Sequence, residues 1–335
     1  MSDSFPYPLL QKEQIRAQMN TLASSGKSFI FIIDYKAESG YLIEDKDIDP
    51  NYLRFEINSN QIVGNNYSSK KTENNIIWGI KPVSFLEYKL KFDYVVQQIC
   101  LGNSFLTNLT QPTPLTTNLS LLDMYECGTA KYKLWLNNKF VVLSPETFVR
   151  INGSTIASFP MKGTIDADIP KAEKNILNDP KERAEHATIV DLIRNDLSLV
   201  AENVEVKRYR YVEKISTNKQ NLLQVSSEIT GELPKLFHQF LGDILFALLP
   251  AGSICGAPKP KTLEIIEQAE AYERGFYTGV CGRFDGVNLD SAVMIRFIEQ
   301  QGDQLIFKSG GGITAQSDVK KEYEELIQKI YVPIS

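Results

Sequence analysis

Apolar residues along this chain repeat at two spacings. Phe29-Ile30-Phe31-Ile32-Ile33 is a continuous run of strand length and reads as a buried strand, while Leu53-Arg54-Phe55-Glu56-Ile57 alternates as a half-buried strand does. From residue 131 the period shortens. Tyr132–Leu136, Phe140–Leu143, Thr147–Ile151 and Thr155–Phe159 predict an antiparallel meander, with Asn137-Asn138 and Asn152-Gly153 as its turns. Further strands are expected at 203–213, 222–230, 276–284, 291–299 and 304–309, and helices at 180–197, 235–249, 259–273 and 318–331. Ser84 with Glu87 makes a capping box for another helix, which carries Phe85, Tyr88, Phe92, Val95 and Ile99 on one side and ends near Gly102. Strands joined by hairpins, with helices in separate groups, predict an α+β fold.

Composition narrows the class. At 335 residues and 43% hydrophobic, the chain can bury one large core or two modest ones. No apolar run approaches a membrane span, and Met1-Ser2-Asp3-Ser4-Phe5-Pro6 has neither a basic stretch nor an apolar core for export. A cytoplasmic protein is expected. Cys100, Cys127, Cys255 and Cys281 are dispersed, which argues for free thiols over a disulfide framework or a zinc site. A net charge of −5 with both signs scattered leaves no footprint for nucleic acid. The only histidines, His186 and His238, flank no nucleophile motif, so triad chemistry is not expected. Gly26-Lys27-Ser28 lacks the earlier glycine of a phosphate loop and precedes a strand, so it reads as a turn. Asn65 to Asn75 reads as a polar loop.

Two helices bear carboxylates in telling places. Asp179-Pro180-Lys181-Glu182 is a helix start with an Asp cap, proline at the first position and a glutamate to close the box. On that helix Glu185, Ile189, Leu192 and Asp196 share a face. Either Glu185 points inward, where its charge needs a cation or donors, or it favours the helix dipole near an exposed end; the pattern alone leaves both open. The second helix starts near Ser317-Asp318. Val319, Tyr323, Leu326 and Ile330 form its core stripe, with Glu322, Glu325 and Lys329 beside it. Glu325 and Lys329 have the spacing of an ordinary i,i+4 ion pair. Gly310-Gly311-Gly312 precedes this helix, and its bare backbone can approach a ligand closely. Arg296 is expected to alternate within a strand, facing the same way as Met294 and Ile298, and Tyr277 to be a core aromatic.

Five ordered stretches carry a resemblance: Pro160-Met161-Lys162-Gly163-Thr164; Asp191-Leu192-Ile193-Arg194-Asn195-Asp196; Gly252-Ser253-Ile254-Cys255-Gly256-Ala257-Pro258-Lys259; Gly279-Val280-Cys281-Gly282; and Gly310-Gly311-Gly312 ahead of Glu322-Tyr323-Glu324-Glu325. Their order and spacing over roughly residues 80 to 330 resemble the chorismate-utilising enzymes, which include anthranilate, aminodeoxychorismate, isochorismate and salicylate synthases. The resemblance implies two large antiparallel sheets packed as a sandwich, helices outside, and an active site in the central cleft. Residues 1–80 would be a reduced N-terminal portion of the same β-sandwich domain, and 81–335 the chorismate-binding catalytic domain. A tryptophan site, carried by longer members in their N-terminal portion, is not matched here.

The same resemblance implies roles. Glu185, Glu322 and Glu325 would be Mg²⁺ ligands, with Arg296 and Lys329 meeting substrate carboxylates and Tyr277, Thr164, Gly310, Gly311 and Gly312 lining the substrate. Glu146, in Ser144-Pro145-Glu146-Thr147-Phe148, matches the proposed general acid, a role that needs a raised pKa. Lys162 would be a nucleophile, and lysine here points to the aminodeoxychorismate branch, since anthranilate synthases usually carry a small residue. Two departures stand out: Thr147 where arginine is usual and Gln224 where histidine is common. The implied activity is amination of chorismate, with ammonia from a separate glutaminase subunit, because no glutaminase segment is recognisable. Anthranilate synthase component I, an isochorismate or salicylate synthase, and a silent chorismate-binding subunit are the alternatives.

Overall fold

The computed structural model describes residues 5–58, 61–63, 76–216 and 221–333. Two antiparallel sheets face each other. The first runs in the spatial order Leu10–Gln11, Ser39–Glu44, Phe29–Ile33, Val280–Phe284, Leu289–Val293, Thr147–Asn152, Thr155–Ser158, Asn221–Glu232 and Met161–Asp166, with Glu202–Ser216 also paired to Asn221–Glu232. The second runs Gly256–Ala257, Leu106–Thr117, Gln304–Ile313, Phe297–Gln301, Phe140–Ser144, Tyr132–Leu136, Leu53–Ile57 and Gln61–Val63, with Trp78–Ile80 on the far side of Leu106–Thr117. The expected α+β sandwich is therefore the observed one. Strands from the first 80 residues enter both sheets.

Phe29–Ile33 explains its own pattern. Ile30 and Ile32 pack between the sheets with Phe55, Leu134 and Phe297, while Phe29, Phe31 and Ile33 pack under the helices Lys12–Ser24 and Leu241–Leu248. A strand covered on both faces has no polar side to alternate with. The helices Phe85–Cys100, Lys259–Glu270 and Val319–Gln328 cover the outer face of the second sheet, and Pro180–Leu197 lies on the first.

Several expectations need correction. The meander is not one sheet: Tyr132–Leu136 and Phe140–Ser144 belong to the second sheet, Thr147–Asn152 and Thr155–Ser158 to the first, and the chain crosses between them at Pro145-Glu146. The strand expected at 291–299 is likewise two, Leu289–Val293 and Phe297–Gln301, one in each sheet. Arg296 sits in that second crossing at φ +51° and has no strand to alternate in; buried Met294 and Ile298 are no guide to its direction. Local hydrophobic periodicity cannot register which sheet a strand joins, so both crossings were invisible to it.

Leu53–Ile57 is covered on its polar face too, where Arg54 meets Glu126 at 2.9 Å and Glu56 meets Lys133 at 3.2 Å. The Gly310-Gly311-Gly312 run continues a strand, paired with Thr110, Leu109 and Asn108. The helix expected to 273 ends at Glu270. Phe237–Ile254 is long and apolar enough to pass for a membrane span, contrary to the sequence reading; however, it breaks into the 3₁₀ turn Phe237–Phe240, the core helix Leu241–Leu248 and the turn Gly252–Ile254. Gly26-Lys27-Ser28 is a turn as expected, the four cysteines are free, and the Asn65–Asn75 segment lies outside the described residues.

Candidate active site

The two chain crossings, the glycine strand and two carboxylate-bearing helices converge on one cleft of about 1530 Å³. Every residue to which the resemblance gave a site role lines it: Glu146, Lys162, Thr164, Glu185, Tyr277, Arg296, Gly310, Gly311, Gly312, Glu322, Glu325 and Lys329. They do not all sit equally deep. Thr164 is exposed at the rim opposite Gln224, while Tyr277, Glu185 and Glu322 are buried.

Glu146 occupies the first crossing. Its backbone is fixed because Ser144 Oγ donates to Val293 O at 2.7 Å, Glu146 N donates back to Ser144 Oγ at 3.1 Å, and Val293 N donates to Glu146 O at 3.1 Å. Its carboxylate accepts a 2.5 Å hydrogen bond from Ser253 Oγ. Burial raises its pKa, and the Ser253 bond with the charges of Lys162, Lys329 and Arg296 only partly offsets this. A raised pKa is what the general-acid role expected for Glu146 requires. Ser253, which lies in the stretch Gly252–Lys259, thereby holds Glu146.

Lys162 projects from the strand Met161–Asp166, with Nζ 3.3 Å from Glu185 Oε2 and its side chain 24% exposed. Gly163 follows at φ +85°, and a methyl group there would meet Glu182 Oε2 at 3.0 Å. Glu182 therefore leans toward this strand. Its backbone N–H is held by Asp179 Oδ1 at 2.9 Å, so half of the expected capping arrangement is present. At Ser84, likewise, the side chain caps Glu87 N without a reciprocal bond.

The glycine strand separates two ion pairs. A methyl group on Gly312 would lie 3.2 Å from Lys162 Nζ and 3.0 Å from Leu106 Cδ1. One on Gly311 would point between Lys329 Nζ, Glu322 Oε2 and Glu325 Oε1, at 3.6–3.8 Å. Lys329 Nζ lies 2.6 Å from Glu325 Oε1 and donates to Gly310 O at 3.0 Å, so the expected i,i+4 pair forms inside the cleft. Gly310 has a different reason: a side chain there would strike Leu109 O at 2.6 Å and Thr110 Cγ2 at 2.5 Å. Beyond Lys308 the strand has no partner on its other edge among the described residues, because its neighbour begins at Phe297. That open edge faces the second crossing, where the Arg296 guanidinium lies over the Tyr331 ring at 4.9 Å.

Beneath these residues runs a buried network that the sequence did not reveal. Arg274 pairs with Glu270 through two bonds of 2.6 and 2.8 Å and donates to Ile254 O and Asn108 O. Glu270 accepts from Thr110 N and Oγ1, both at 2.8 Å. The pair ties the strand beside the glycines to the Ser253 turn. Its only sequence trace is the Glu-x-x-x-Arg spacing, obscured because the helix ends at Glu270 itself.

Oxygen ligands on two helices, with an open glycine wall between, are the donor type a hard cation takes. Among the described residues no three acidic, imidazole or thiol groups gather on one point, and Glu185 and Glu325 lie against lysines. The donor chemistry is of the type Mg²⁺ takes, but among the described residues the carboxylates are not gathered around one point and two are paired with lysines.

The sequence pattern of the family described as chorismate binding enzymes matches residues 17–335. The chain is 48% identical over 317 residues to an uncharacterised PabA-like protein of Pasteurella multocida, covering 95% of this chain and 97% of that one. It is 53% identical over 253 residues to an uncharacterised PabA-like protein of Haemophilus influenzae, covering 76% and 77%. Its fold superposes on anthranilate synthase component I from Streptococcus pneumoniae with a TM-score of 0.72 at 21% identity, covering 91% of this chain and 80% of that one. With a family pattern spanning nearly its whole length, this chain is a member of the chorismate binding enzyme family.

Proposed function

We propose that the chain is aminodeoxychorismate synthase component I, converting chorismate and ammonia to 4-amino-4-deoxychorismate on the route to para-aminobenzoate and folate. The observation that carries this reading is Lys162, whose amine lies in the same cleft as the enclosed acid Glu146 and beside the Gly312 wall. The likeness to two PabA-like proteins supports the same branch.

Chorismate brings two carboxylates and a 4-hydroxyl that leaves poorly unless protonated. Arg296 and Lys329 supply cations for the carboxylates, and the open edge at Gly310–Gly312 lets a ring approach the backbone. Glu146 delivers its proton to the 4-oxygen, which departs as water. The Lys162 nitrogen bonds to C2 through its lone pair as the double bonds shift toward C4. Ammonia then bonds to C4, the double bonds return, and the lysine leaves C2, so the new amine stands at C4, para to the carboxyl-bearing C1. Glu185, Glu322 and Glu325 would hold Mg²⁺, which when bound neutralises substrate carboxylate charge. Ammonia would come from a separate glutaminase subunit in the cytoplasm.

The test is incubation of the pure chain with chorismate, Mg²⁺ and ammonium, with the product identified by mass and chromatography. The para-amino product is expected, together with a Lys162 adduct by intact mass when ammonium is withheld. Lys162→Ala should lower para-amination by about 10²–10⁴-fold, the size of the loss when a catalytic side chain is removed. Substantial activity in Lys162→Arg without any adduct would remove the nucleophile. An ortho-amino product from wild type would assign the chain to anthranilate synthesis instead.

A further inference from the structure

The last residues of two sequence motifs, Asp196 and Lys259, have so far no part in the chemistry. They meet. Lys259 Nζ lies 2.7 Å from Asp196 Oδ2 with both side chains mostly buried, and it also donates to Leu248 O at 3.1 Å, at the end of the helix Leu241–Leu248. The turn Gly252–Ile254 is laid directly on this pair. A methyl group on Gly252 would come within 2.7 Å of Asp196 Oδ2 and 3.1 Å of Leu192, so only a glycine lets the turn sit so close. On the turn's other side Arg274 holds Ile254 O at 3.0 Å. Ser253, between those two anchors, reaches Glu146.

We infer that the Asp196–Lys259 ion pair is a positioning device for the active-site acid: it seats the Gly252 turn so that Ser253 Oγ is aimed at the Glu146 carboxyl. The inference rests on the reading of Glu146 as the proton donor. Burial holds the Asp196 carboxyl above its usual range while Lys259 opposes that shift. A surface ion pair would do nothing of this kind. Here the pair lies under the turn, and the turn carries one polar side chain toward the cleft.

The test is a double-mutant cycle on the full chain. Asp196→Asn keeps the shape and removes the charge. Gly252→Ala leaves both charges and pushes the turn off the carboxylate. Each should lower kcat for ammonium-dependent chorismate turnover by about 10- to 100-fold, the size of a lost hydrogen bond to a charged group, with little change in KM. In a Ser253→Ala background the same changes should have no further effect on kcat, because the connection they act through is already cut. If the losses multiply in that background, the pair is only structural and the inference fails. Should Asp196→Asn fail to fold, Asp196→Asn with Lys259→Met removes both buried charges and goes through the same cycle, beside Gly252→Ala. Wild-type kcat in folded Gly252→Ala also overturns it. A failure of the underlying reading looks different: Glu146→Gln would then itself turn over chorismate normally.

Discussion

Three neighbouring glycines should respond to the same substitution in three ways, and the distances say how. In Gly310→Ala the new methyl meets backbone, Leu109 O at 2.6 Å, which cannot step aside without opening the ladder between Gln304–Ile313 and Leu106–Thr117. Overpacking of this kind costs about 1–3 kcal/mol, so its melting temperature should fall and its activity with it. In Gly311→Ala the methyl finds Lys329 Nζ, Glu322 Oε2 and Glu325 Oε1 at ordinary contact distances, 3.6–3.8 Å. Stability should hold, while a substrate that uses this wall loses its closest approach, which appears as a raised KM. Gly312→Ala is the discriminating case. Its methyl sits 3.2 Å from Lys162 Nζ and 3.0 Å from Leu106 Cδ1, tighter than most contacts by a few tenths of an ångström. Leu106 is buried at 4% exposure and the lysine side chain at 24%, so the amine is what moves. Displacing a reacting atom by about 1 Å costs on the order of 10² in rate, so a shift of a few tenths of an ångström costs roughly 3- to 10-fold. Gly312→Ala should therefore melt within a few degrees of wild type yet lose roughly 3- to 10-fold in kcat, read by ammonium-dependent chorismate consumption beside thermal unfolding. If kcat falls no further than melting predicts, or not at all, Lys162 is not where the reaction occurs.

Glu146→Gln should abolish turnover and, near neutral pH, melt higher than wild type. The sign follows from the raised pKa of this buried carboxyl: the folded state holds its proton more tightly than the unfolded state, so wild-type stability falls as pH rises through the window above the ordinary glutamate value, and the variant escapes that loss. The advantage should vanish in acid, where both side chains are neutral; an advantage that persists there contradicts the burial argument. Glu185→Gln and Glu325→Gln should each bind Mn²⁺, as a probe for Mg²⁺, more weakly by electron paramagnetic resonance and lose turnover while keeping the wild-type circular dichroism spectrum. Unchanged Mn²⁺ affinity in both would remove these residues from the metal site.

How much of this was legible in the sequence depends on the range of each signal. Phe29–Ile33, the helix at Asp179-Pro180 and the helix at Asp318 announce themselves through neighbours within a turn or two, and the structure keeps them: Asp179 and Asp318 side chains cap their helices as the composition suggests. The choice left open for Glu185 is settled by its 9% exposure and its place in the cleft wall beside Lys162. What stayed hidden was set by partners far along the chain. Ser253 is 107 residues from Glu146, Glu270 is 160 from Thr110, and neither separation leaves a periodicity. The sheet crossings at Glu146 and Arg296 were hidden for the same reason: each looks locally like an interruption within a run of strands.

Those crossings also explain why the chemistry sits where it does. A residue inside either sheet has its backbone committed to a ladder and its side chain to one of two faces, both filled here by core. Glu146 and Arg296 are released from that alternation because the chain is leaving one sheet for the other, so their side chains can turn into the space where the sheets part. The backbone joins the two crossings: Val293, last residue of the strand before Arg296, donates to Glu146 O and accepts from Ser144 Oγ. A shift of either crossing must therefore move the other, which keeps an acid and an arginine in fixed relation without requiring that they touch. Glycine plays the complementary part at Gly311 and Gly312, where a strand remains in its ladder and the space is made by omitting the side chain. The cleft is thus bounded by two ways of freeing a β-structure for chemistry, one by leaving the sheet and one by leaving out the side chain.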